Sequence, residues 1–97
     1  MTSAPAGTSA PRVSMYTAAY CGYCTRAERL LESKGVREVV KLRVDEDPAL
    51  RAEMMQRTGR RTIPQIYIGD FHVGGYDDLA ALDRAGRLDP LLAGARP

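Results

Sequence analysis

Two cysteines three positions apart are the residues of this sequence best suited to do chemistry. They are Cys21 and Cys24 in the stretch AYCGYCTRAERLL, and they are the 2 cysteines of the chain. Such a pair can close a structural disulfide, contribute to a metal site or act as a redox centre. A disulfide across this spacing closes a very short loop and removes little entropy from the unfolded chain, so a structural role is weakly supported.

A redox role fits the pair better than a zinc site. Structural zinc needs four side-chain ligands, and one chain offers Cys21, Cys24 and a single histidine, His72, which the pattern places in a distant strand. The unpaired N–H groups and the dipole at a helix N-terminus stabilise a thiolate, and we expect Cys21 to lie there with a lowered pKa. Cys24, one turn into the helix and more shielded, suits attack on a mixed disulfide formed at Cys21.

The elements that must position the pair alternate between strand and helix patterns. Hydrophobic periodicity, caps and turn residues predict them at 13–17, 23–34, 37–44, 48–58, 62–68, 71–73, 76–85 and 89–93. The order β-α-β-α-β-β-α, with a short last helix, predicts an α/β fold with a four-stranded mixed sheet and helices on both faces. Cys21 falls at the carboxyl end of the first strand, where active sites of open α/β sheets gather.

Composition excludes several classes of function. The chain has 97 residues and a net charge of +2, which suits one domain and argues against a dedicated nucleic-acid surface. No run approaches the ~20 apolar residues that cross a membrane, and residues 1–12 lack the pattern of a secretory signal. We therefore expect a disordered tail at 1–12, a domain at 13–97 and a cytoplasmic location.

Three segments, in their order and spacing, carry a resemblance to a known family. CGYCTRAERLLESKGV, GRRTIPQIYIGD and GGYDDLAALDRAGRLDPLL resemble glutaredoxins of the bacterial dithiol type over residues 13–92. The resemblance implies a thioredoxin fold and glutathione as co-substrate. It implies a glutathione-disulfide oxidoreductase that acts on glutathionylated and disulfide-containing proteins, with Cys21 as the nucleophile and Cys24 as the resolving cysteine.

The resemblance also implies which residues bind glutathione. A cis Pro64 would present the backbone of Ile63 to the cysteinyl part of glutathione, and Asp77 would take the γ-glutamyl ammonium. Arg61 could attract the glycyl carboxylate, although an ordinary solvated face explains it equally well, and Asp78 is interpreted as a helix cap. The predicted binding residues are Tyr23, Arg61, Thr62, Ile63, Pro64, Gly75, Tyr76 and Asp77.

Two positions depart from the family pattern. Ala18 stands where many glutaredoxins have a lysine, which predicts a smaller pKa shift at Cys21 and weaker glutathione binding. Gly22 replaces the usual proline, and some glutaredoxins with glycine there bridge a [2Fe–2S] cluster between two chains through the first cysteine and two glutathiones. The alternative function is therefore a cluster-binding module with Cys21 as ligand. The expected state is a monomer, and a dimer only when a cluster is bound.

Overall fold

Four short strands form the centre of the molecule: β1 (Val13–Thr17), β2 (Val39–Arg43), β3 (Gln65–Ile68) and β4 (Phe71–Gly74). In the computed structural model, which describes residues 10–97, they make one sheet in the order β2-β1-β3-β4. β1 pairs in parallel with β2 and antiparallel with β3, and β3 pairs antiparallel with β4. The predicted mixed α/β sheet and the order of its elements are confirmed.

Helices cover both faces of this sheet. They are α1 (Gly22–Ser33), α2 (Pro48–Thr58), α3 (Tyr76–Arg84) and the short α4 (Leu88–Leu92). Ala27 and Leu31 of α1 and Leu79 of α3 share one apolar cluster with the sheet residues Ile66 and Ile68. On the other face, α2 contributes Met54 to a second cluster with Tyr16, Val44 and Tyr67. Successive residues of a strand point to opposite faces, so the sheet contributes to both clusters.

The ends of α2 follow the signals in the sequence. Asp47 is the N-cap, and its carboxylate accepts a hydrogen bond of 2.9 Å from Ala49 N. Pro48 occupies the first helical position, where the N–H that it lacks would have no partner. Gly59 ends the helix in the left-handed region at φ 71°. The predicted cap, first residue and C-terminal stop of this helix are confirmed.

The third strand differs from its prediction at its start. β3 begins at Gln65, so residues 62–64, which were predicted as strand, lie in a connection before it. All four residues of β3 are buried because the strand has neighbours on both sides and a helix layer over each face. A strand that is covered on both faces therefore lacks the alternation of buried and exposed residues that marks a strand with one face in water.

The amino-terminal tail meets the sheet at its end. Arg12 O accepts a hydrogen bond of 2.7 Å from Gly69 N in the turn between β3 and β4. Residues 1–9 lie outside the described part of the chain, so the disorder predicted for residues 1–12 stays a prediction. Within residues 10–97, no helix combines the length and apolar character needed to cross a membrane.

Substitution of two adjacent methionines tests the packing of α2. Met54 has no exposed surface, whereas Met55 is 36% exposed. Met54→Ala should lower the free energy of unfolding by about 2–5 kcal/mol because it leaves a cavity between helix and sheet. Met55→Ala is the matched control and should change it by less than about 0.5 kcal/mol. Urea unfolding of both variants measures the difference, and equal effects would contradict this packing.

Candidate active site

Cys21 lies between the end of β1 and the first turn of α1. It is the N-cap of α1, and its Sγ accepts a hydrogen bond of 3.2 Å from Cys24 N. The two cysteines are joined by a disulfide with a Cα–Cα distance of 5.2 Å. Cys24 is only 2% exposed and packs in the core, whereas Cys21 is partly exposed. An incoming sulfur can therefore reach Cys21 and not Cys24.

The loop before Cys21 is held from the side of β2. Ala19 N donates a hydrogen bond of 3.2 Å to Asp45, and Arg43 binds the same carboxylate through Nε and Nη2 at 2.7 Å each. These contacts, led by the bond from Arg43, hold the pKa of Asp45 well below its usual range. Tyr20 adopts φ 58° and projects into solvent beside the cysteine.

A groove of about 200 Å³ includes Tyr23, which lies between the two cysteines in the sequence. One wall is the connection before β3, and the other is the start of α3. The Tyr23 and Tyr76 rings both line the groove, with centroids 6.4 Å apart and planes tilted by 32°. The residues that line the groove are Tyr23, Arg60, Thr62, Ile63, Pro64, Gly75, Tyr76, Asp77 and Asp78.

The connection before β3 is positioned by a buried amide. The Ile63–Pro64 peptide bond is cis, as the family resemblance implied. Gln65 has no exposed surface, and its Nε2 donates to Thr62 O at 3.0 Å and to Thr62 Oγ1 at 3.3 Å. Because a buried amide without partners is costly, these bonds fix the path of the backbone from Thr62 to Pro64.

His72 completes the surroundings of that amide. Its Nε2 lies 2.8 Å from Gln65 Oε1, and its ring stacks on Tyr67 with centroids 5.0 Å apart. Burial lowers the pKa of His72, and the positive charge of Arg60 adds to the effect. A neutral ring that carries its proton on Nε2 would donate to the amide oxygen. The sequence pattern had placed this single histidine only in a strand distant from the cysteines.

At the start of α3, one carboxylate accepts hydrogen bonds from two donors. Asp78 Oδ2 accepts a hydrogen bond of 2.9 Å from Gly75 N and one of 3.0 Å from Arg60 Nη1. The Gly75 N–H first, and then the Arg60 guanidinium, lower the pKa of Asp78. The interpretation of Asp78 as a cap agrees with this geometry, and its ion pair with Arg60 is an additional contact.

Most of the predicted glutathione-binding residues come together in this groove. Arg61 is the exception, because its neighbour Arg60 lines the groove instead. Arg60 follows the C-cap Gly59, and its N–H donates to Thr58 Oγ1 at 3.0 Å. The predicted residues that line the groove are Tyr23, Thr62, Ile63, Pro64, Gly75, Tyr76 and Asp77.

The arrangement can perform thiol–disulfide exchange. When the cysteines are reduced, the Cys24 N–H and the amino end of α1 favour a thiolate at Cys21. Cys24 lies one turn away and can attack a sulfur bound to Cys21. Within residues 10–97, no group of three or more histidine, cysteine, aspartate or glutamate side chains could hold a metal ion.

Comparisons with known proteins agree with this chemistry. The family model described as Glutaredoxin matches residues 13–73. A glutaredoxin of Pseudomonas aeruginosa is 53% identical over 83 residues, which is 86% of this chain and 98% of that protein. The solution structure of glutaredoxin from Brucella melitensis is 48% identical and superposes with a TM-score of 0.80, over 92% of this chain and 96% of that chain.

A third comparison concerns a protein with its ligand. The crystal structure of a buckwheat glutaredoxin–glutathione complex superposes with a TM-score of 0.78 and 32% identity. The match covers 89% of this chain and 83% of that chain.

The lowered pKa of Asp78 predicts how stability depends on pH. Its folded-state pKa lies below that of the unfolded chain, about 3.9. The contribution of the charged carboxylate is therefore present above that value and is lost as the pH falls through the folded-state pKa. Asp78→Asn should destabilise the protein at pH 7 and have a smaller effect at pH 3, as measured by urea unfolding.

Asp77→Asn is the matched control for that experiment. It removes the neighbouring carboxylate and leaves both contacts of Asp78 in place. A loss of stability by Asp78→Asn that stays the same from pH 7 to pH 3 would contradict the assigned cause.

Proposed function

Because the chain belongs to the glutaredoxin family, and so is a thiol–disulfide oxidoreductase, we propose that it reduces glutathione mixed disulfides and protein disulfides with glutathione as electron donor. The observation that carries this proposal is the groove that includes Tyr23, the residue two positions after Cys21, and runs between Thr62–Pro64 and Gly75–Asp78. Its backbone and charged groups suit a peptide-like ligand whose sulfur must reach Cys21. The buckwheat complex supports glutathione as that ligand.

The proposed monothiol cycle uses Cys21 alone. The Cys21 thiolate attacks the glutathione sulfur of a mixed disulfide, the Cys21–glutathione bond forms, and the other thiolate leaves and takes a proton. A second glutathione, as its thiolate, then attacks the glutathione sulfur on Cys21. This step releases oxidised glutathione and restores the Cys21 thiolate. The groove would align the sulfurs, which raises the rate because exchange depends on their orientation.

The proposed dithiol cycle adds Cys24. Cys21 attacks a protein disulfide and one protein thiolate leaves. The Cys24 thiolate then attacks Cys21 Sγ, which frees the second protein thiol and forms the Cys21–Cys24 disulfide. Two glutathiones reduce that disulfide and leave as oxidised glutathione. The short Cα–Cα distance of 5.2 Å allows this step without a large movement of the backbone.

In this proposal different groove residues bind different parts of glutathione. The backbone of Ile63 would pair with the cysteinyl part of glutathione, as an added strand pairs with an edge. Gly75 and Tyr76 would offer the start of α3 to a carboxylate, and Asp77 would bind the γ-glutamyl ammonium. We expect the thiol–disulfide exchange to take place in the cytoplasm, where thiols are kept reduced.

Two serine variants separate the two cycles. Cys21→Ser should reduce turnover of a glutathionylated peptide at least about 10³-fold, because a hydroxyl at neutral pH is a very poor nucleophile. Cys24→Ser should retain that turnover and lose reduction of a disulfide-linked protein. Glutathione reductase and NADPH report the first activity, and gel shift with an alkylating reagent reports the second. Negligible turnover by a folded, reduced wild type would refute the proposed function.

The second candidate function is a [2Fe–2S] cluster shared by two chains. A single chain does not fit such a cluster, because it supplies two cysteines where four ligands are needed. The surface beside Cys21 is open, since a Cβ added to Gly22 would meet nothing within 4 Å. A second chain and two glutathiones would have to complete the ligands.

Anaerobic reconstitution with iron, sulfide and glutathione tests this candidate. A visible chromophore in a dimer that is lost in Cys21→Ser and kept in Cys24→Ser would support it, because only the exposed cysteine would be a ligand. Absorption spectra and size-exclusion chromatography measure the two properties. The absence of any chromophore from wild type under these conditions would rule the candidate out.

A further inference from the structure

A three-part contact closes one end of the groove. It consists of the Arg60 guanidinium, the Asp78 carboxylate and the Gly75 N–H, and we call it the Arg60–Asp78 clasp. One oxygen, Asp78 Oδ2, is 3.0 Å from Arg60 Nη1 and 2.9 Å from Gly75 N. Both side chains are about half exposed, at 46% and 44%, so the ion pair faces the groove and the solvent.

The clasp joins the two walls of the groove. Arg60 belongs to the wall that follows α2, where the hydroxyl of Thr58 holds its N–H. Asp78 belongs to α3 in the opposite wall. Gly74 lies against the pair, and a Cβ built on it would overlap the Asp78 carboxylate and come within 3.2 Å of Arg60 Nη1. Glycine at position 74 thus leaves space for the contact between Arg60 and Asp78, which any larger side chain there would displace.

Arg60 supplies the positive charge at this end of the groove. The charged residues that line it, within the described part of the chain, are Arg60, Asp77 and Asp78. Without the arginine, two neighbouring carboxylates would repel an anionic group. The γ-glutamyl end of glutathione carries one carboxylate and one ammonium. An end of the groove with a cation beside the two anions can receive both charges.

We propose that Arg60 fits the groove to the γ-glutamyl end of glutathione by neutralising Asp78, which leaves Asp77 for the ligand ammonium. Arg60 is thus a specificity-determining residue for the sulfur donor. This inference rests on the proposed function, because it presumes that glutathione occupies the groove. The lowered pKa of Asp78 agrees with a carboxylate that stays ionised and paired at neutral pH.

The test compares two mixed disulfides of one peptide. One carries glutathione, and the other carries cysteinylglycine, which lacks the γ-glutamyl group. Reduced enzyme attacks the sulfur of the small thiol, its bond to Cys21 forms, and the peptide thiol that leaves is followed by chromatography. The ratio of kcat/KM for the two peptides measures selectivity for the γ-glutamyl end.

Arg60→Gln should lower kcat/KM for the glutathione peptide roughly three- to ten-fold, mainly through KM, because the contact is partly exposed to water. The same variant should leave the cysteinylglycine peptide within about two-fold, since the lost charge acts only on the γ-glutamyl group. Arg60→Lys should recover most of the loss because it retains the charge. Arg60→Gln combined with Asp78→Asn should also recover part of it, because the unpaired carboxylate is gone.

A matched control removes an equal charge elsewhere. Arg37 is exposed and precedes β2 at the opposite end of the sheet, so Arg37→Gln should leave the selectivity ratio unchanged. Equal losses on both peptides in Arg60→Gln would overturn the inference, because they would indicate a general structural role. An unchanged ratio in Arg60→Gln, with wild type still preferring glutathione, would overturn the inference and leave the proposed function standing. A wild type that turns over both peptides equally would also overturn the inference, whereas negligible turnover of both peptides by folded, reduced wild type would overturn the proposed function.

Discussion

Pairing of the central strand on both of its sides is the constraint on which the site depends. β1 pairs in parallel with β2 through Val13 and Val39, and antiparallel with β3 through Val13 and Ile68. These two ladders fix where β1 ends and therefore where Cys21 begins the next helix. They also place the connection before β3 beside the same end of the sheet. The cysteine and the groove are neighbours because one strand organises both.

Burial makes the two cysteines unequal in accessibility. Cys24 contributes to the core cluster, so its sulfur is reached only from Cys21. Cys21 lies at the rim, where the end of a helix supplies N–H groups and the solvent supplies access. A chain with the same two residues on a flexible loop would lack this difference. The difference in accessibility between the two sulfurs thus follows from the helix that carries them.

A second layer of contacts maintains the shape of the groove. Gln65 links Thr62 to His72, and the His72 ring stacks on Tyr67. Tyr67 is in turn covered by the Arg57 guanidinium at 4.2 Å from its ring centre. Arg57 also donates to the Tyr16 hydroxyl at 2.7 Å. Polar groups from α2 to β4 therefore form a continuous set of contacts that reaches the Thr62–Pro64 connection.

The sequence allowed much of this arrangement to be predicted, where a local signal determines a local geometry. Asp47, Pro48 and Gly59 each have one strong positional preference, and they bounded α2 correctly. The position of Cys21 followed from the change of periodicity between strand and helix. The mixed sheet followed from the order of elements and is confirmed by the pairing of the strands.

Other features depend on contacts between distant residues. Which of the two adjacent arginines, Arg60 or Arg61, lines the groove depends on which side chain contacts Asp78. The contact is made by Arg60, 18 positions before Asp78 in the sequence, and the sequence pattern does not distinguish the two arginines. The start of β3 at Gln65 depends on the path of the cis Pro64 connection. The contact of His72 depends on an amide that belongs to the neighbouring strand. Reasoning along one chain cannot supply such pairings until the register of the sheet is known.

Both the backbone conformation and the neighbouring side chains at Gly74 restrict which amino acids can replace it. Its φ of +111° favours glycine whatever surrounds it, and the Asp78 carboxylate independently fills the space of a side chain. Shortening residue 78 would remove the two closest of these contacts and leave the backbone requirement untouched. No single neighbouring substitution can therefore open position 74 to another amino acid, and we expect descendants of this chain to retain glycine there even where the groove has diverged.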